Sequence, residues 1–171
     1  MEKPRSLVRI VVPVVAAALG AGVGLAFFVA ALLRPPDLPV DTNPVPLAGH
    51  NLCASVAVYF RTDTEMRTAA DTFHDDPKAR RVFVQTKAEA FARFKDVFKD
   101  QPELLQATQP DALPASVSLL AVPGTDLDAW ARELHARITN ADQVQVNDLN
   151  AAAAQLKVTA PPPKCPREGE Y

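Results

Sequence analysis

The sequence contains little cysteine, glycine or aromatic residue: its 171 residues include two cysteines, six glycines and 6% aromatic side chains. Two cysteines are too few for a disulfide-rich scaffold or a paired-cysteine zinc site. No strand is followed by a glycine-rich phosphate loop or a nucleophile elbow, and the three histidines are scattered. The net charge of -2 provides no basic stripe for nucleic acid. We therefore expect a protein that is not an enzyme and needs no cofactor or metal.

A long uncharged run lies near the start of the chain, at residues 10–33. A helix of this length exceeds the roughly 30 Å hydrocarbon core of a bilayer. Three bases and one acid occupy residues 1–9, whereas Asp37 and Asp41 follow the run, so the positive-inside rule places residues 1–9 in the cytoplasm. The alternative is a signal peptide cleaved near residues 29–31, but its apolar region would normally be shorter. We expect a single-pass cell-membrane protein with its C-terminal domain outside the cytoplasm.

Prolines are concentrated in two stretches, residues 34–49 and residues 159–171. Because proline lacks a backbone donor and favours polyproline II, the first stretch predicts a semi-rigid stalk and the second an extended tail. The domain between them would cover residues 50–158. Cys53 and Cys165 bracket it, and a compartment outside the cytoplasm permits a disulfide between them. The alternative is two unrelated thiols.

The hydrophobic periodicity of this domain alternates between two and about 3.6 residues, which predicts an α+β fold. Strands are predicted at residues 55–60, 80–86 and 115–122 and from Gln143; helices are predicted after the capping box Thr62–Glu65, over residues 87–99 and after residues 124–126. This order is typical of a ferredoxin-like split β-α-β fold, with a four-stranded sheet and two helices on one face. Residues 87–113 replace a hairpin and should form a small helical lobe. Trp130 is expected in the core.

The block VQTKAEAFARFKDVFKDQPELLQATQPDALPASVSL, residues 84–119, resembles the extracellular domain of the bacterial cell-division protein FtsX. The shared features are Thr86, Lys87 and Glu89, an Ala-x-x-Phe helix with Phe94, the run Pro102–Leu105, and Leu113, Pro114 and Ser116 before a strand. The resemblance extends from about Ser55 to Val146.

The resemblance implies a two-lobed module outside the cytoplasm. In that family the module works with the ATPase FtsE and engages peptidoglycan hydrolases or their activators through the helical lobe. The three later membrane helices of FtsX have no counterpart here, which argues against coupling to ATP hydrolysis.

Three phenylalanines of the block, Phe91, Phe94 and Phe98, fall at i, i+3 and i+7 on one helix face, a pattern usual for core residues. The lobe offers little more than Leu104 and Leu105 to cover three rings of about 150–200 Å² each. Since Phe94 matches the recurrent ring of the family, we expect it to be buried. The predicted partner-binding residues are Phe91 and Phe98, which we expect to be the more exposed, together with Phe94, Leu104 and Leu105.

Two functions follow from the sequence. The first is a membrane-anchored binding module that recruits or regulates a peptidoglycan hydrolase or its adaptor. The alternative is a structural envelope protein that dimerises, or braces other membrane proteins, through its span and its sheet edge.

Overall fold

The computed structural model describes residues 38–156 and 162–171. Its elements are β1 (Asp41–Pro46), β2 (Ala54–Phe60), α1 (Asp63–Thr72), β3 (Ala79–Gln85), α2 (Lys87–Val97), α3 (Pro102–Ala107), β4 (Ala115–Ala121), α4 (Leu127–Arg137), β5 (Gln143–Asp148) and α5 (Leu149–Leu156). The predicted cytoplasmic segment and membrane helix, residues 1–33, lie outside the described residues. Within those that are described, every helix is too short or too polar to cross a bilayer.

The sheet has five strands in the order β1-β3-β4-β2-β5. Strand β4 is antiparallel to β2 and β3, β5 is antiparallel to β2, and β1 is parallel to β3. Without β1, this is the order of two interleaved strand-helix-strand units, as the ferredoxin-like prediction requires. The α+β class is confirmed, but the predicted sheet of four strands was one strand short.

The additional strand, β1, lies in the predicted proline-rich stalk. Its register pairs Val45 with Phe83 and Pro46 with Val84, so this part of residues 34–49 belongs to the domain. Polyproline II and extended strand have similar backbone angles. An edge strand tolerates proline because one of its two sides forms no hydrogen bonds with another strand. Composition therefore could not distinguish a stalk from an edge strand.

The main core lies between the sheet and helices α1 and α4. Alternate strand residues face these helices, as the period of two requires. The largest fully buried side chains in this cluster are Trp130, Phe60, Phe73, Met66, Leu119 and Leu134. The predicted burial of Trp130 is confirmed.

A second, smaller cluster lies on the opposite face of the sheet. Phe83 and Leu120 are buried there against Leu47, with Val45 and Leu52 packed around them. The segment that connects β1 to β2 therefore covers part of the face that α1 and α4 leave open.

The predicted C-terminal tail also folds onto the domain. Cys165 forms a disulfide with Cys53, with a Cα–Cα distance of 5.6 Å, which confirms the predicted bridge. Gly169 has a φ of 72° and lies so close to Ala54 O that a Cβ there would be 2.9 Å from it. Glu170 binds both Arg81 and His50. The compact unit runs from Leu38 to Tyr171, so described residues on both sides of the expected range 50–158 pack with the domain.

Candidate functional site

The helical lobe begins where β3 ends. The Thr86 hydroxyl accepts a hydrogen bond from the Glu89 backbone N–H, and the Glu89 carboxylate accepts one from the Thr86 N–H, so a complete capping box starts α2. The Lys87 N–H also donates to the Asp63 carboxylate, which ties the start of α2 to α1. Pro102 then occupies the first turn of α3, where a backbone N–H would have no intrahelical acceptor, so the missing N–H of proline removes no helical hydrogen bond.

Neither α2 nor α3 contains a buried residue. Phe91, Phe94 and Phe98 are each half-buried, whereas Val97 is 65% exposed and Leu104 is 37% exposed. Helices α1 and α4, by contrast, each bury three residues in the core. The lobe therefore carries its apolar side chains at the surface of the molecule.

The three phenylalanines form a ladder along α2. The rings of Phe91 and Phe94 are nearly parallel, with centroids 6.5 Å apart, and the rings of Phe94 and Phe98 are tilted, with centroids 4.7 Å apart. The Lys95 ammonium lies 5.2 Å from the centroid of the Phe91 ring, within range of a cation–π contact. The rings thus contact one another and leave part of their surface open to solvent.

The predicted burial of Phe94 was wrong: its ring is half-buried, because the small helical lobe encloses none of its residues completely. The expected exposure of Phe91 and Phe98 holds only in part, since both rings are half-buried. Leu104 is exposed and Leu105 is half-buried. We call Phe91, Phe94, Val97, Phe98, Leu104 and Leu105 together the aromatic patch.

Sequence reasoning missed Val97, the most exposed large apolar side chain of this lobe. The missed signal is its position: Val97 lies next to Phe98 but off the i, i+3, i+7 stripe, so a helix that buried the stripe would still expose it. A single exposed apolar residue is ordinary, but one beside a row of partly exposed rings adds to a possible contact surface.

The two described groups with clearly shifted pKa values lie away from this patch. Burial of the Asp76 carboxyl opposes its ionisation, but hydrogen bonds from Arg137 and the Lys78 N–H outweigh it and hold the pKa of Asp76 below its ordinary value. Burial, with Arg81 beside it, lowers the pKa of Arg80. Over residues 38–156 and 162–171, no three His, Cys, Asp or Glu side chains converge on a possible metal position. The aromatic patch can bury apolar surface against a partner, which is the chemistry its side chains offer.

The chain was compared with known proteins and families. A family model described as the FtsX extracellular domain matches residues 54–157, from the first residue of β2 to just beyond α5. No curated protein and no solved structure matches the chain significantly. Strand β1 and both cysteines lie outside the matched range, whereas the helical lobe lies within it. The chain therefore belongs to the FtsX extracellular domain family, and residues 54–157 form its extracytoplasmic module.

Proposed function

We propose that this protein is a membrane-anchored binding module of the cell-division machinery, which recruits or regulates a peptidoglycan hydrolase, or the adaptor of one, through the aromatic patch. The observation that carries the proposal is that α2 and α3 bury none of their residues, although α2 contains Phe91 and Phe94 and ends at Phe98. The module itself performs no chemistry and acts by positioning its partner.

Apolar surface that stays in water is unfavourable by roughly 25 cal/mol per Å², so an exposed apolar cluster on a small domain commonly marks a contact surface. The half-buried ladder of rings and the exposed Val97 together form an apolar strip on a single helix. A strip of this kind suits an amphipathic or coiled-coil helix laid along it.

Family membership also supports an association with a complete FtsX and its ATPase FtsE. In this proposal the chain would contribute an additional extracytoplasmic surface to the division complex. The membrane anchor at residues 10–33 would keep the patch close to the cell wall.

The test is in-cell photo-crosslinking from positions 91, 97 and 98 of the full chain, with the captured protein identified by mass spectrometry. We expect these positions to capture a peptidoglycan hydrolase or its adaptor. Two positions serve as controls: position 130 is enclosed in the core, and position 156 holds a leucine that is 76% exposed but lies outside the patch.

A matched pair of variants refines the test. Val97→Ser should reduce capture from position 91 and leave the thermal midpoint almost unchanged, because the side chain is mostly exposed. Leu156→Ser should change neither quantity. Equal capture from positions 97 and 156, or no hydrolase at any position, would contradict the proposal.

The alternative function, bracing or dimerisation, is favoured by a different observation. Among the described strands, β5 is an edge strand that pairs with β2 alone, and residues 143–147 contain no proline and no charge. The opposite edge, β1, contains Pro44 and Pro46, which discourage the addition of another strand. An unprotected edge can pair with a second copy of the chain.

The bracing function predicts that the full chain in detergent sediments as a dimer. Gln143→Lys, which places a charge on the exposed edge, should then shift it to the monomer, whereas a lysine at Gln109 in the helical lobe should not. A chain that is monomeric from the outset would remove this alternative.

A further inference from the structure

A cleft of about 730 Å³ lies on the sheet face that α1 and α4 leave open, and it extends around β5. Its floor consists of side chains from the central strands β2 and β4 and the edge strand β5: Ser55, Ser118, Gln145 and Asn147. The β1–β2 connection and α5 form its walls, and Arg93 reaches it from α2. The cleft is separate from the aromatic patch, since none of the patch residues lines it.

Two hydroxyl groups in the floor lack hydrogen-bond partners. Ser55 is 2% exposed and Ser118 is 6% exposed, yet neither side chain forms a hydrogen bond with any residue in the ranges 38–156 and 162–171. The fully enclosed side-chain N and O atoms without a partner in these ranges are Arg80 Nε and Trp130 Nε1. Neither serine oxygen is among these enclosed atoms, and both serines line the cleft. A nearly buried hydroxyl without a partner is unfavourable, so both groups are placed to receive a hydrogen bond from a bound molecule.

The sheet register places these hydroxyls next to side-chain amides. Ser55 is opposite Asn147 on the neighbouring strand, and Ala57 lies between Gln145 on one side and Ser118 on the other. Directly opposed residues have Cβ atoms about 5 Å apart. The floor is therefore a compact array of groups that both donate and accept hydrogen bonds.

The charges around the cleft favour neither an anion nor a cation. The Asp148 carboxylate already accepts hydrogen bonds from the N–H groups of Asn150 and Ala151, and His50 is bound to Glu170. Arg93 and Asp128 add one charge of each sign, so the two carboxylates disfavour an anion, while the Asp148 carboxylate is already engaged by backbone N–H groups. An uncharged ligand fits this arrangement best.

We propose that this cleft binds a compact, uncharged ligand that carries hydroxyl and amide groups, of the chemical class of the N-acetylated sugars. Such a ligand matches the serine hydroxyls and the side-chain amides, while Leu47, Leu52 and Leu149 offer apolar contacts to its C–H faces and acetyl methyl group. The volume lies in the range of small-molecule sites. The floor itself offers no site for strand addition by a peptide, because β2 and β4 are each paired on both sides and the free main-chain groups of β5 point outward in the plane of the sheet.

This inference does not depend on a hydrolase partner. The test measures binding of N-acetylglucosamine and its disaccharide N,N′-diacetylchitobiose to the full chain in detergent, by saturation-transfer NMR and calorimetry. Glucose, which lacks the amide, is the comparison ligand. We expect saturable binding of the two acetylated sugars and much weaker binding of glucose.

Ser55→Ala and Ser118→Ala should each weaken binding by about three- to tenfold, the effect of one lost hydrogen bond. Both variants should keep their thermal midpoint, because the removed hydroxyl has no hydrogen-bond partner among the residues that the structure describes. Ser116→Ala is the matched control: Ser116 is nearly buried on the same strand as Ser118 but does not line the cleft.

Three results would overturn the proposal. The first is the absence of saturable binding by either acetylated sugar, which would mean that water alone occupies the cleft. The second is equal binding of glucose. The third is a loss of affinity in Ser116→Ala as large as that in Ser55→Ala and Ser118→Ala.

Discussion

At the scale of single residues, Asp76 has the clearest electrostatic role. Its carboxylate lies just after α1, accepts hydrogen bonds from Arg137 at the end of α4 and from the Lys78 N–H, and is nearly buried. The carboxylate therefore joins the two helices of the main core at the point where the chain enters β3. The aspartate and the proline that follows it are visible in the sequence as a helix stop, but the arginine partner is 61 residues away.

Asp76→Asn should lower the free energy of unfolding at neutral pH by about 1–3 kcal/mol, because Arg137 loses its charged acceptor. The pH dependence follows from the lowered pKa. Ionised Asp76 stabilises the fold above its ordinary pKa of about 4, and this contribution disappears as the pH falls through the lowered value. Denaturant unfolding from pH 7 to pH 2 should therefore show a flatter acid limb in the variant, that is, a smaller fall in the free energy of unfolding as the pH decreases.

Asp75→Asn is the matched control, since Asp75 is exposed and one residue away. It should keep both the stability at neutral pH and the acid limb. An unchanged acid limb in Asp76→Asn would mean that other carboxylates determine the acid sensitivity.

At the scale of elements, the two kinds of helix owe their stability to different contacts. Helices α1 and α4 pack on the sheet, whereas α2 and α3 bury no residue. Helix α2 has a capping box and ring contacts, and α3 begins at Pro102 without a side-chain cap. Elements with few buried contacts open locally at a lower free energy than the core. The helical lobe can therefore adjust to a partner without loss of the sheet.

Thr86→Ala removes the cap of α2 and should destabilise that helix by about 1 kcal/mol. The effect should be local: hydrogen exchange by mass spectrometry should become faster over residues 87–107 and remain unchanged in β2 and β4. Thr62→Ala removes the same kind of capping box from α1, whose Met66 is in the core. It should lower the global midpoint instead, and a global effect of Thr86→Ala would contradict the view that the lobe opens independently.

The conformation of the two proline-rich stretches is also decided by how elements pair. Proline content predicts an extended backbone, and both stretches are extended or irregular where the structure describes them. Whether an extended segment stands free or pairs with a sheet depends on what lies beside it. Strand β1 pairs with β3, where Val45 is opposite Phe83, a residue 38 positions later in the chain.

At the scale of the whole molecule, a disulfide and noncovalent contacts join the C-terminal segment of the domain to its first strands. The bridge between Cys53 and Cys165 spans 112 residues, and Glu170 forms a backbone bridge with Leu52. Arg80 is nearly buried and donates a hydrogen bond to the Glu168 carbonyl oxygen. Arg81 donates one to the Glu170 carboxylate, so both arginines contact the C-terminal segment. The C-terminal segment thus joins the start of β2 to the edge formed by β1 and β3.

Replacement of both cysteines by serine should lower the free energy of unfolding by up to about 4–5 kcal/mol, the value for a loop of this length in the chain-entropy model. Urea unfolding of the oxidised, reduced and double-serine forms would measure the change. The reduced and double-serine forms should agree with each other. A reduced form as stable as the oxidised one would show that noncovalent contacts hold the tail without the bridge.

The sequence alone predicted the order of elements from β2 to β5, the capping box at Thr62 and the burial of Trp130, and it offered a disulfide between the two cysteines as one of two alternatives. These features follow from local periodicity, from local hydrogen bonding or from a choice among very few partners. The α+β class and the family resemblance also follow from patterns within a few dozen residues.

Tertiary structure alone decided the fifth strand, the folded-back tail, the half-burial of Phe94, the exposure of Val97 and the cleft with its unpartnered serines. Each depends on whether another segment lies above a given side chain or beside a given strand. A local pattern records how apolar a residue is and where it points within its element. It does not record what covers that residue, because the covering segment is distant in the chain and its position is fixed by the packing of the whole domain.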